Sequence, residues 1–250
     1  MKVIKDIAYL NWDPAQKLDL CLPEGEVKAT FVYFHGGGIE KGDKAGAGHF
    51  APYLTERGIA VASANYRMYP NHSYPSFVYD CAAAVAWTLD YMKKEYGAEK
   101  IFVGGSSAGG YLSMMLCFDP RYLASVGLDN SSITGYFHDA GQPTAHFNVL
   151  KYSGVDSRRV IVDETAPMYY IGTAESYPPM RFIVSDNDMR NRYEQTVLML
   201  STMKHFGYQN CDMEVRNGTH CHYVNRKDED GVSVFGQMFY DFYNKAMAEG

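Results

Sequence analysis

Short apolar runs typical of β-strands alternate along the chain with longer segments whose apolar residues recur at helical spacing. The middle runs are continuously apolar, as expected of strands that are covered on both faces. This pattern predicts eight strands, at Val3–Tyr9, Leu18–Leu22, Ala29–Phe34, Ala60–Asn65, Lys100–Val103, Ile133–Phe137, Met180–Val184 and Asp212–Val215.

Three segments have the periodicity of helices that bury one face. Alternation of strands and helices predicts an α/β fold with a mostly parallel sheet and helices on both faces. The first strands follow one another without a helix between them, so we expect an antiparallel edge. The predicted buried helix faces are Phe77, Cys81, Ala84, Val85, Thr88 and Met92, then Tyr193, Val197, Leu200 and Met203, and finally Phe235, Phe239, Phe242 and Met247.

The segment from about 138 to 179 departs from this alternation. It has few convincing strands, several Tyr and Pro residues, and mixed polarity. A loop of this length inside a compact domain is usually functional or disordered, and we interpret it as a cap-like insertion over a site. The motifs described below are spread over nearly the whole chain, which predicts a single domain, 1–250.

Composition narrows the class of protein without identifying a function. The chain has 23 Lys and Arg against 29 Asp and Glu, a net charge of −6, so it lacks the basic surplus that nucleic-acid binding requires. Its five cysteines are scattered and odd in number, and no apolar stretch suits a signal-peptide core or a membrane span. We therefore expect a soluble, cytoplasmic protein with no membrane or nucleic-acid partner.

The strongest chemical motif is Gly105-Ser106-Ser107-Ala108-Gly109, directly after the predicted strand Lys100–Val103. A nucleophilic serine on a sharp strand-to-helix turn needs small residues two places before and after it, because the turn brings backbones close together. The following helix places its N-terminus where negative charge develops in acyl transfer. Taken alone, the motif is equally compatible with a glycine-rich turn, including one that binds phosphate.

A second glycine motif, His35-Gly36-Gly37-Gly38, follows the predicted strand Ala29–Phe34. In lipases and esterases such a loop turns backbone N–H groups toward the oxyanion of the reaction intermediate. We predict that Gly37 and Gly38 donate two of these hydrogen bonds and that the N–H of Ala108 donates the third. The position upstream of the serine motif makes a simple turn the weaker interpretation.

With these two motifs the chain resembles the α/β-hydrolase superfamily, and within it the compact relatives of the hormone-sensitive-lipase-type carboxylesterases. The resemblance extends to the Tyr-Arg and Pro of Ser63–Pro70, to Tyr74-Pro75, and to Asp80 in a helix that ends near Trp87. It implies the α/β-hydrolase fold and hydrolysis of carboxylic esters. The oxyanion motif begins at His35, so we expect no long N-terminal helical cap of the kind that larger members have.

The resemblance also implies a catalytic triad in the chain order serine, acid, histidine. After the strand Met180–Val184 comes Ser185-Asp186-Asn187-Asp188, and the family spacing favours Asp188 as the acid. Asp186 is the alternative, and Asp139, which follows an earlier strand, is a third candidate. Aspartates in such places also commonly cap helices or stabilise turns.

The base is predicted in the stretch Gly218-Thr219-His220-Cys221-His222, between the last strand and the last helix. His220 fits the family position and His222 is the alternative. The two histidines with Cys221 also resemble part of a zinc site, but such a site needs a third protein ligand close by, and none accompanies them. We therefore predict neither a metal nor a cofactor.

These residues predict a serine carboxylic-ester hydrolase for small or short-chain acyl esters, with acetylated or aromatic-acylated sugars as one possibility. An amide hydrolase, such as a formamidase or small peptidase, uses the same triad and is the alternative. A non-catalytic binding protein of this fold is less favoured, because the nucleophile, the base and candidate acids are all present.

The substrate itself is small and is expected to meet a polar wall. We predict substrate contacts from His138, Asp139, Gln142 and His222, which follow strands or lie beside the base. The chain has 21 tyrosines, and Tyr169, Tyr170 and Tyr177 either line the pocket or simply pack the cap. Arg67 and Asp80 are interpreted as structural. An apolar stripe on the last helix is compatible with a homo-oligomer as well as with packing on the sheet.

Overall fold

The computed structural model describes residues 1–249 and contains one eight-stranded sheet. All eight predicted strands are present, with ends that differ from the prediction by at most a few residues. They are β1 (Lys2–Ala8), β2 (Lys17–Leu22), β3 (Ala29–Phe34), β4 (Ile59–Ala64), β5 (Ile101–Ser106), β6 (Gly135–Asp139), β7 (Met180–Asn187) and β8 (Cys211–Thr219).

The strands lie in the order β1-β2-β4-β3-β5-β6-β7-β8 across the sheet. β1 pairs antiparallel with β2, and β2 pairs antiparallel with β4. Every pair from β4 across to β8 is parallel. The predicted antiparallel edge and mostly parallel sheet are therefore confirmed.

Helices cover both faces of this sheet. The longer helices can bury a full apolar face, whereas the helices of five or six residues are short connections. Consecutive β3 side chains alternate between the two layers. Val32 and Phe34 face the helices at Ser76–Tyr96 and Ala108–Phe118, whereas Phe31 and Tyr33 face those at Ala51–Thr55 and Val234–Glu249. Burial on both faces is why the central strands are continuously apolar. The helices are α1 (Ala51–Thr55), α2 (Ser76–Tyr96), α3 (Ala108–Phe118), α4 (Pro120–Ala124), α5 (Phe147–Tyr152), α6 (Arg192–His205) and α7 (Val234–Glu249).

The predicted buried face of α6 is wrong in its first half. Tyr193 and Val197 are 38% and 39% exposed, whereas Leu200 and Met203 are buried as predicted. The buried side chains in the first turns of α6 are polar, so apolar periodicity does not reveal them; they are Arg192, Gln195 and Thr196. In α7 the phenylalanines pack on the sheet, but Met247 is 37% exposed.

The segment at 138–179 begins later than predicted, because His138 and Asp139 are the last two residues of β6. It then contains α5 and a short 3-10 turn at Pro167–Tyr170. The Nδ2 amide of Asn148 in α5 donates to the carbonyl of Gly38 at 2.6 Å. This segment therefore contacts the predicted oxyanion loop, and its role as a cap stays a prediction.

No helix among the described residues combines the length and the apolar character needed to cross a lipid bilayer.

Candidate active site

The predicted catalytic residues meet at the carboxyl ends of the parallel strands, where α/β sheets usually place their sites. Ser107 directly follows β5, Asp188 follows β7 and His220 follows β8. The glycine loop with Gly37 and Gly38 follows β3, the strand next to β5. Neighbouring strands thus bring together groups that are more than 100 residues apart in sequence.

Ser107 lies on a strained turn between β5 and α3. Its backbone has φ 57° and ψ −112°, a combination that residues other than glycine rarely adopt. The turn holds because its neighbours are glycines: a Cβ on Gly109 would lie 1.9 Å from the carbonyl oxygen of Phe34. The Ser107 N–H donates to the carbonyl of Asp139 at 2.8 Å, which ties the turn to β6. The strand-to-helix elbow predicted from the motif is present.

Ser107, His220 and Asp188 form a continuous hydrogen-bonded chain. The Oγ of Ser107 lies 2.8 Å from Nε2 of His220. Nδ1 of His220 lies 2.5 Å from Oδ1 of Asp188. The tautomer with its proton on Nδ1 satisfies both contacts, because Nδ1–H donates to the carboxylate and Nε2 accepts from the serine hydroxyl. This is the geometry of a nucleophile, a general base and an orienting acid.

Asp188 is held as an anion. Burial acts to raise its pKa, but hydrogen bonds from His220 and from the backbone N–H groups of Met189 and Ser185 outweigh burial, so the pKa lies below its usual value. These N–H groups lie 2.7 Å and 3.1 Å from the carboxylate oxygens. A carboxylate fixed on three sides can orient an imidazole without taking up a proton.

The other two candidate acids do not contact the imidazole. Asp186 is exposed and accepts a hydrogen bond from the backbone N–H of Gly218 at 2.8 Å, which fixes the turn before His220. Asp139 is buried at the end of β6 and accepts from the hydroxyl of Tyr223 and, at 3.9 Å, from the thiol of Cys221. Both aspartates therefore support the histidine loop from outside the hydrogen-bonded chain.

Two of the three predicted oxyanion donors, Gly37 and Gly38, line the same cavity as Ser107. Within the described residues, the N–H groups of Gly37 and Gly38 have no hydrogen-bond acceptor. Ala108 is the first residue of α3, where N–H groups have no intrahelical acceptor. Gly37 adopts φ +112°, and a Cβ there would lie 1.9 Å from the Lys41 carbonyl oxygen, so only glycine fits this turn. The three predicted donors therefore have no acceptor within the described chain.

Buried side chains beneath this loop fix its position. The ring of Tyr66 stacks on His35 with centroids 4.5 Å apart, and its hydroxyl donates to the His35 carbonyl at 2.7 Å. The guanidinium of Arg67 donates two hydrogen bonds of 2.8 Å to the fully buried carboxylate of Asp80. Gln16 donates to the same carboxylate at 2.7 Å. Tyr66 therefore supports the glycine loop directly, whereas Arg67 and Gln16 are tied to α2 through Asp80.

A cavity of about 650 Å³ opens at Ser107. Its wall combines glycine backbone with apolar side chains, and charged groups of the loop at 40–43 lie at its edge. Residues that line it include Tyr33, Gly37, Gly38, Phe147, Met189 and Val224.

The four predicted substrate contacts do not line this cavity. His138 is buried, and its Nδ1 lies 2.9 Å from the Ser113 hydroxyl. Asp139 lies below the histidine loop, and His222 turns its Nδ1 to the Thr219 carbonyl at 2.8 Å. Gln142 lines a neighbouring cavity instead. A strand that continues two residues further than predicted explains His138 and Asp139, because both side chains are then enclosed by the sheet.

The three tyrosines that the sequence places either in the pocket wall or in the packing of the cap do not line the cavity at Ser107. Tyr177 is buried in the core and Tyr169 is 56% exposed. The hydroxyl of Tyr170 donates to the Glu164 carbonyl at 2.9 Å. Of the 21 tyrosines, Tyr33 is the one that lines the cavity within the described chain. Residues 1–249 also contain no group of three or more His, Cys, Asp or Glu arranged to hold a metal ion.

Sequence reasoning missed several residues that shape the site. Asn148 fixes the Gly38 carbonyl from a helix of only six residues, which is too short for a periodic signal. Tyr223 lies three residues after His220, so its nearness to the base is readable, but its contact with Asp139 across 84 residues is not. Phe147 and Met189 line the cavity from segments whose polarity gives no pattern.

The sheet, the elbow and the oxyanion loop define an α/β-hydrolase. The sequence model of the BD-FAE family matches residues 18–149, more than half of the chain. The chain therefore belongs to the BD-FAE family. The matched part includes the oxyanion loop and Ser107, whereas Asp188 and His220 lie after it.

Curated relatives share part of the chain. Carboxylic ester hydrolase LipN of Mycobacterium tuberculosis is 35% identical over 96 residues, which are 37% of this chain and 26% of LipN. Tuliposide A-converting enzyme b1 of Tulipa gesneriana is 32% identical over 137 residues, which are 44% of this chain and 36% of that enzyme. The matches thus span about a quarter to a third of these relatives.

Solved structures share the fold over almost the whole chain. Esterase B from Lactobacillus rhamnosis has a TM-score of 0.78 at 19% identity, covering 99% of this chain and 87% of that one. Esterase Est2 from Thermogutta terrifontis has a TM-score of 0.76 at 21% identity, covering 99% and 91%. These likenesses confirm the α/β-hydrolase fold.

Proposed function

We propose that this protein is a serine carboxylic-ester hydrolase with Ser107 as nucleophile, His220 as general base and Asp188 as orienting acid. The observation that carries the proposal is the unbroken pair of contacts at His220, 2.8 Å to Ser107 and 2.5 Å to Asp188. The names of curated relatives such as LipN, a carboxylic ester hydrolase, support the same reaction class.

The reaction begins when His220 Nε2 takes the Ser107 proton as Oγ attacks the ester carbonyl. The resulting oxyanion accepts hydrogen bonds from Gly37, Gly38 and Ala108, each of which stabilises it by about 3 kcal/mol. His220 then protonates the departing alcohol, and the acyl group remains on Ser107. In the second half, His220 removes a proton from water, the hydroxide attacks the acyl carbonyl, and Ser107 leaves with the proton returned from His220.

The cavity favours a small acyl group. Its volume of about 650 Å³ must hold both the acyl and the alcohol part. Phe147, Met189 and Val224 provide apolar contacts, while Glu40, Lys41 and Asp43 lie at the rim and can bond to alcohol hydroxyls. This mixture supports short-chain esters of polar alcohols, with acetylated or aromatic-acylated sugars among them.

The nucleophile is tested with p-nitrophenyl acetate and with paraoxon, the reagent that phosphorylates Thermogutta terrifontis esterase 2. We expect turnover and one diethylphosphoryl group by intact mass in the unsubstituted protein, and neither in Ser107→Ala. Ser131→Ala, at an exposed serine, is the matched control and should behave as the unsubstituted protein. Undiminished turnover by Ser107→Ala sinks the proposal.

The reaction class and the acyl length are tested separately. Matched ester and anilide substrates with the same acetyl group distinguish an esterase from an amide hydrolase, and we expect the ester to react faster by several orders of magnitude. A series from acetate to decanoate esters then measures kcat/KM against chain length. We expect a maximum at four carbons or fewer, and a maximum at long chains overturns the short-acyl proposal.

A further inference from the structure

A second cavity adjoins the catalytic one. It has a volume of about 500 Å³ and shares Phe147 and Met189 with the cavity at Ser107. The rest of its wall is formed by residues 157–160 from the insertion after β6, by residues 190–192 at the start of α6, and by Gln142 and Gln195. The two cavities are therefore adjacent, and Phe147 and Met189 belong to the wall of both.

The wall of the second cavity is positively charged. Four arginines line it, and within the described chain no Asp or Glu does. The protein as a whole carries a net charge of −6, so this cluster of positive side chains is opposite in sign to the net charge of the chain. The lining arginines are Arg158, Arg159, Arg190 and Arg192.

Arg192 is buried and, within the described residues, has no ion pair. Only 3% of it is exposed. Its guanidinium donates to the carbonyl of Ala140 and, at 3.4 Å, to Oε1 of Gln142, both of which are neutral acceptors. The nearest carboxylates, Asp188 and Asp139, act on it only through space. Buried charges are normally paired, so this one calls for an anion that the described residues do not supply.

Within the described chain, the side chains of Arg159 and Arg190 also form no ion pair and no hydrogen bond, and Asp156 acts on Arg159 only through space. Arg158 is different, because its guanidinium is paired with Asp156 at 2.5 Å. The anion-binding capacity of this cavity therefore resides in Arg159, Arg190 and Arg192. A guanidinium is planar and presents paired N–H donors that match a carboxylate.

From these observations we propose that the second cavity binds a carboxylate carried by the ester substrate. The inference rests on the proposed function, because it assigns a substrate class to the same site. The carboxylate belongs either to the acyl part or to the alcohol part. In either position the carboxylate offers the arginines the same hydrogen-bond acceptors. Substrates that carry it on one part only distinguish the two positions.

The test compares each charged ester with a neutral ester of the same size. For the acyl part the pair is mono-p-nitrophenyl glutarate and p-nitrophenyl pentanoate. For the alcohol part it is 4-acetoxybenzoate and its methyl ester. The measured quantity is the ratio of kcat/KM for the charged and the neutral member, with the rate measured for Ser107→Ala subtracted as background.

We expect the ratio for one pair to fall about fivefold or more in Arg159→Gln/Arg190→Gln, since two exposed charge pairs are lost. The same ratio in the unsubstituted protein should fall as sodium chloride is added, because salt screens exposed charges. Arg216→Gln is the matched control, since this arginine lies on β8 outside both cavities and its loss changes the net charge in the same direction. The two exposed positions are chosen over Arg192, because a buried substitution can fail to fold.

Two outcomes overturn the inference: ratios that the double variant leaves unchanged, or ratios that fall equally in Arg216→Gln. Failure of the proposed function is recognised separately, as absence of turnover of the neutral esters by the unsubstituted protein. In that case calorimetric titration with glutarate still tests whether the second cavity binds a carboxylate. Binding that the double variant weakens supports the carboxylate site, and no binding to the unsubstituted protein excludes it.

Discussion

The hydroxyl of Tyr223 donates its hydrogen bond to the carboxylate of Asp139, which joins the loop carrying His220 to the end of β6. The backbone carbonyl of the same aspartate accepts from the Ser107 N–H at 2.8 Å. Asp139 therefore links the turn at Ser107 to the loop that carries His220. It was a candidate for the triad acid by sequence, and its geometry is that of a positioning residue.

Removal of the Tyr223 hydroxyl should loosen the histidine loop. We expect Tyr223→Phe to lower kcat on p-nitrophenyl acetate about tenfold, with a smaller change in KM, because His220 loses its fixed distance to Ser107. Stability should fall by about 1–3 kcal/mol, since a buried acceptor is left with fewer donors. Tyr243→Phe is the control, because the Tyr243 hydroxyl has no hydrogen-bond partner in the described structure and should be replaceable. Equal activity of the two variants contradicts the positioning role.

The titration of Asp139 should appear in the pH dependence of stability. Burial raises its pKa from 3.8 to about 6, against hydrogen bonds from Ser106 and Tyr223 that lower it. Between these two values the folded state binds more protons than the unfolded state, so the contribution of Asp139 to stability falls as pH rises through this window. A difference of about two pKa units corresponds to about 3 kcal/mol.

The measurement is urea unfolding of the unsubstituted protein and of Asp139→Asn from pH 4 to pH 7. We expect the free energy of unfolding of the unsubstituted protein, relative to the variant, to decrease by about 2 kcal/mol over this range, because part of the full change lies below pH 4. Asp188 has the opposite sign, because its pKa is lowered, but it is present in both proteins and cancels in the difference. A difference that rises with pH shows that Asp139 is ionised in the folded state throughout.

Asp188 and Asp186 should differ sharply in their effect on activity. Asp188→Asn retains the shape but offers an N–H where His220 needs an acceptor, so we expect kcat to fall by about 10³–10⁴. Asp186→Asn can still accept from the Gly218 N–H, and we expect a change of less than about threefold. Steady-state kinetics on p-nitrophenyl acetate distinguish them, and a larger loss in Asp186→Asn reverses the assignment.

The fold was predictable because every central strand must bury both faces, which leaves continuous apolar runs that short-range patterns reveal. The elbow at Ser107 and the tight turn at Gly37 were predictable because close backbone packing requires glycine: Gly109 lies against Phe34, and Gly37 lies against Lys41. Both requirements restrict the residue types at neighbouring positions, so they can be read from short stretches of sequence. The order of the motifs along the chain also predicted that Asp188 and His220 lie close to Ser107.

What the sequence did not reveal depends on contacts between distant segments. The first turn of α6 buries Arg192 rather than Tyr193, because the carbonyl of Ala140 and the side chain of Gln142 accept hydrogen bonds from its guanidinium. His138 lies in a strand that continues further than its apolar run, where Ser113 from α3 satisfies one ring nitrogen. In each case a polar group is buried because a remote partner accepts it, and periodicity carries no record of that partner.

The elbow itself gives the last prediction, which concerns stability. A Cβ on Gly109 would lie 1.9 Å from the carbonyl oxygen of Phe34 and 2.9 Å from that of His35, and both are backbone atoms that cannot rotate away. Gly109→Ala should therefore force β3 and α3 apart, at a cost of about 3 kcal/mol or more. A Cβ on Gly48 would meet no atom within 4 Å, and Gly48 has no positive φ, so Gly48→Ala is the matched control. Alanine lowers the conformational entropy of the unfolded chain, so Gly48→Ala should leave the free energy of unfolding unchanged or slightly higher. Urea unfolding measures both, and equal midpoints would show that the close packing of the elbow against Phe34 is absent in solution.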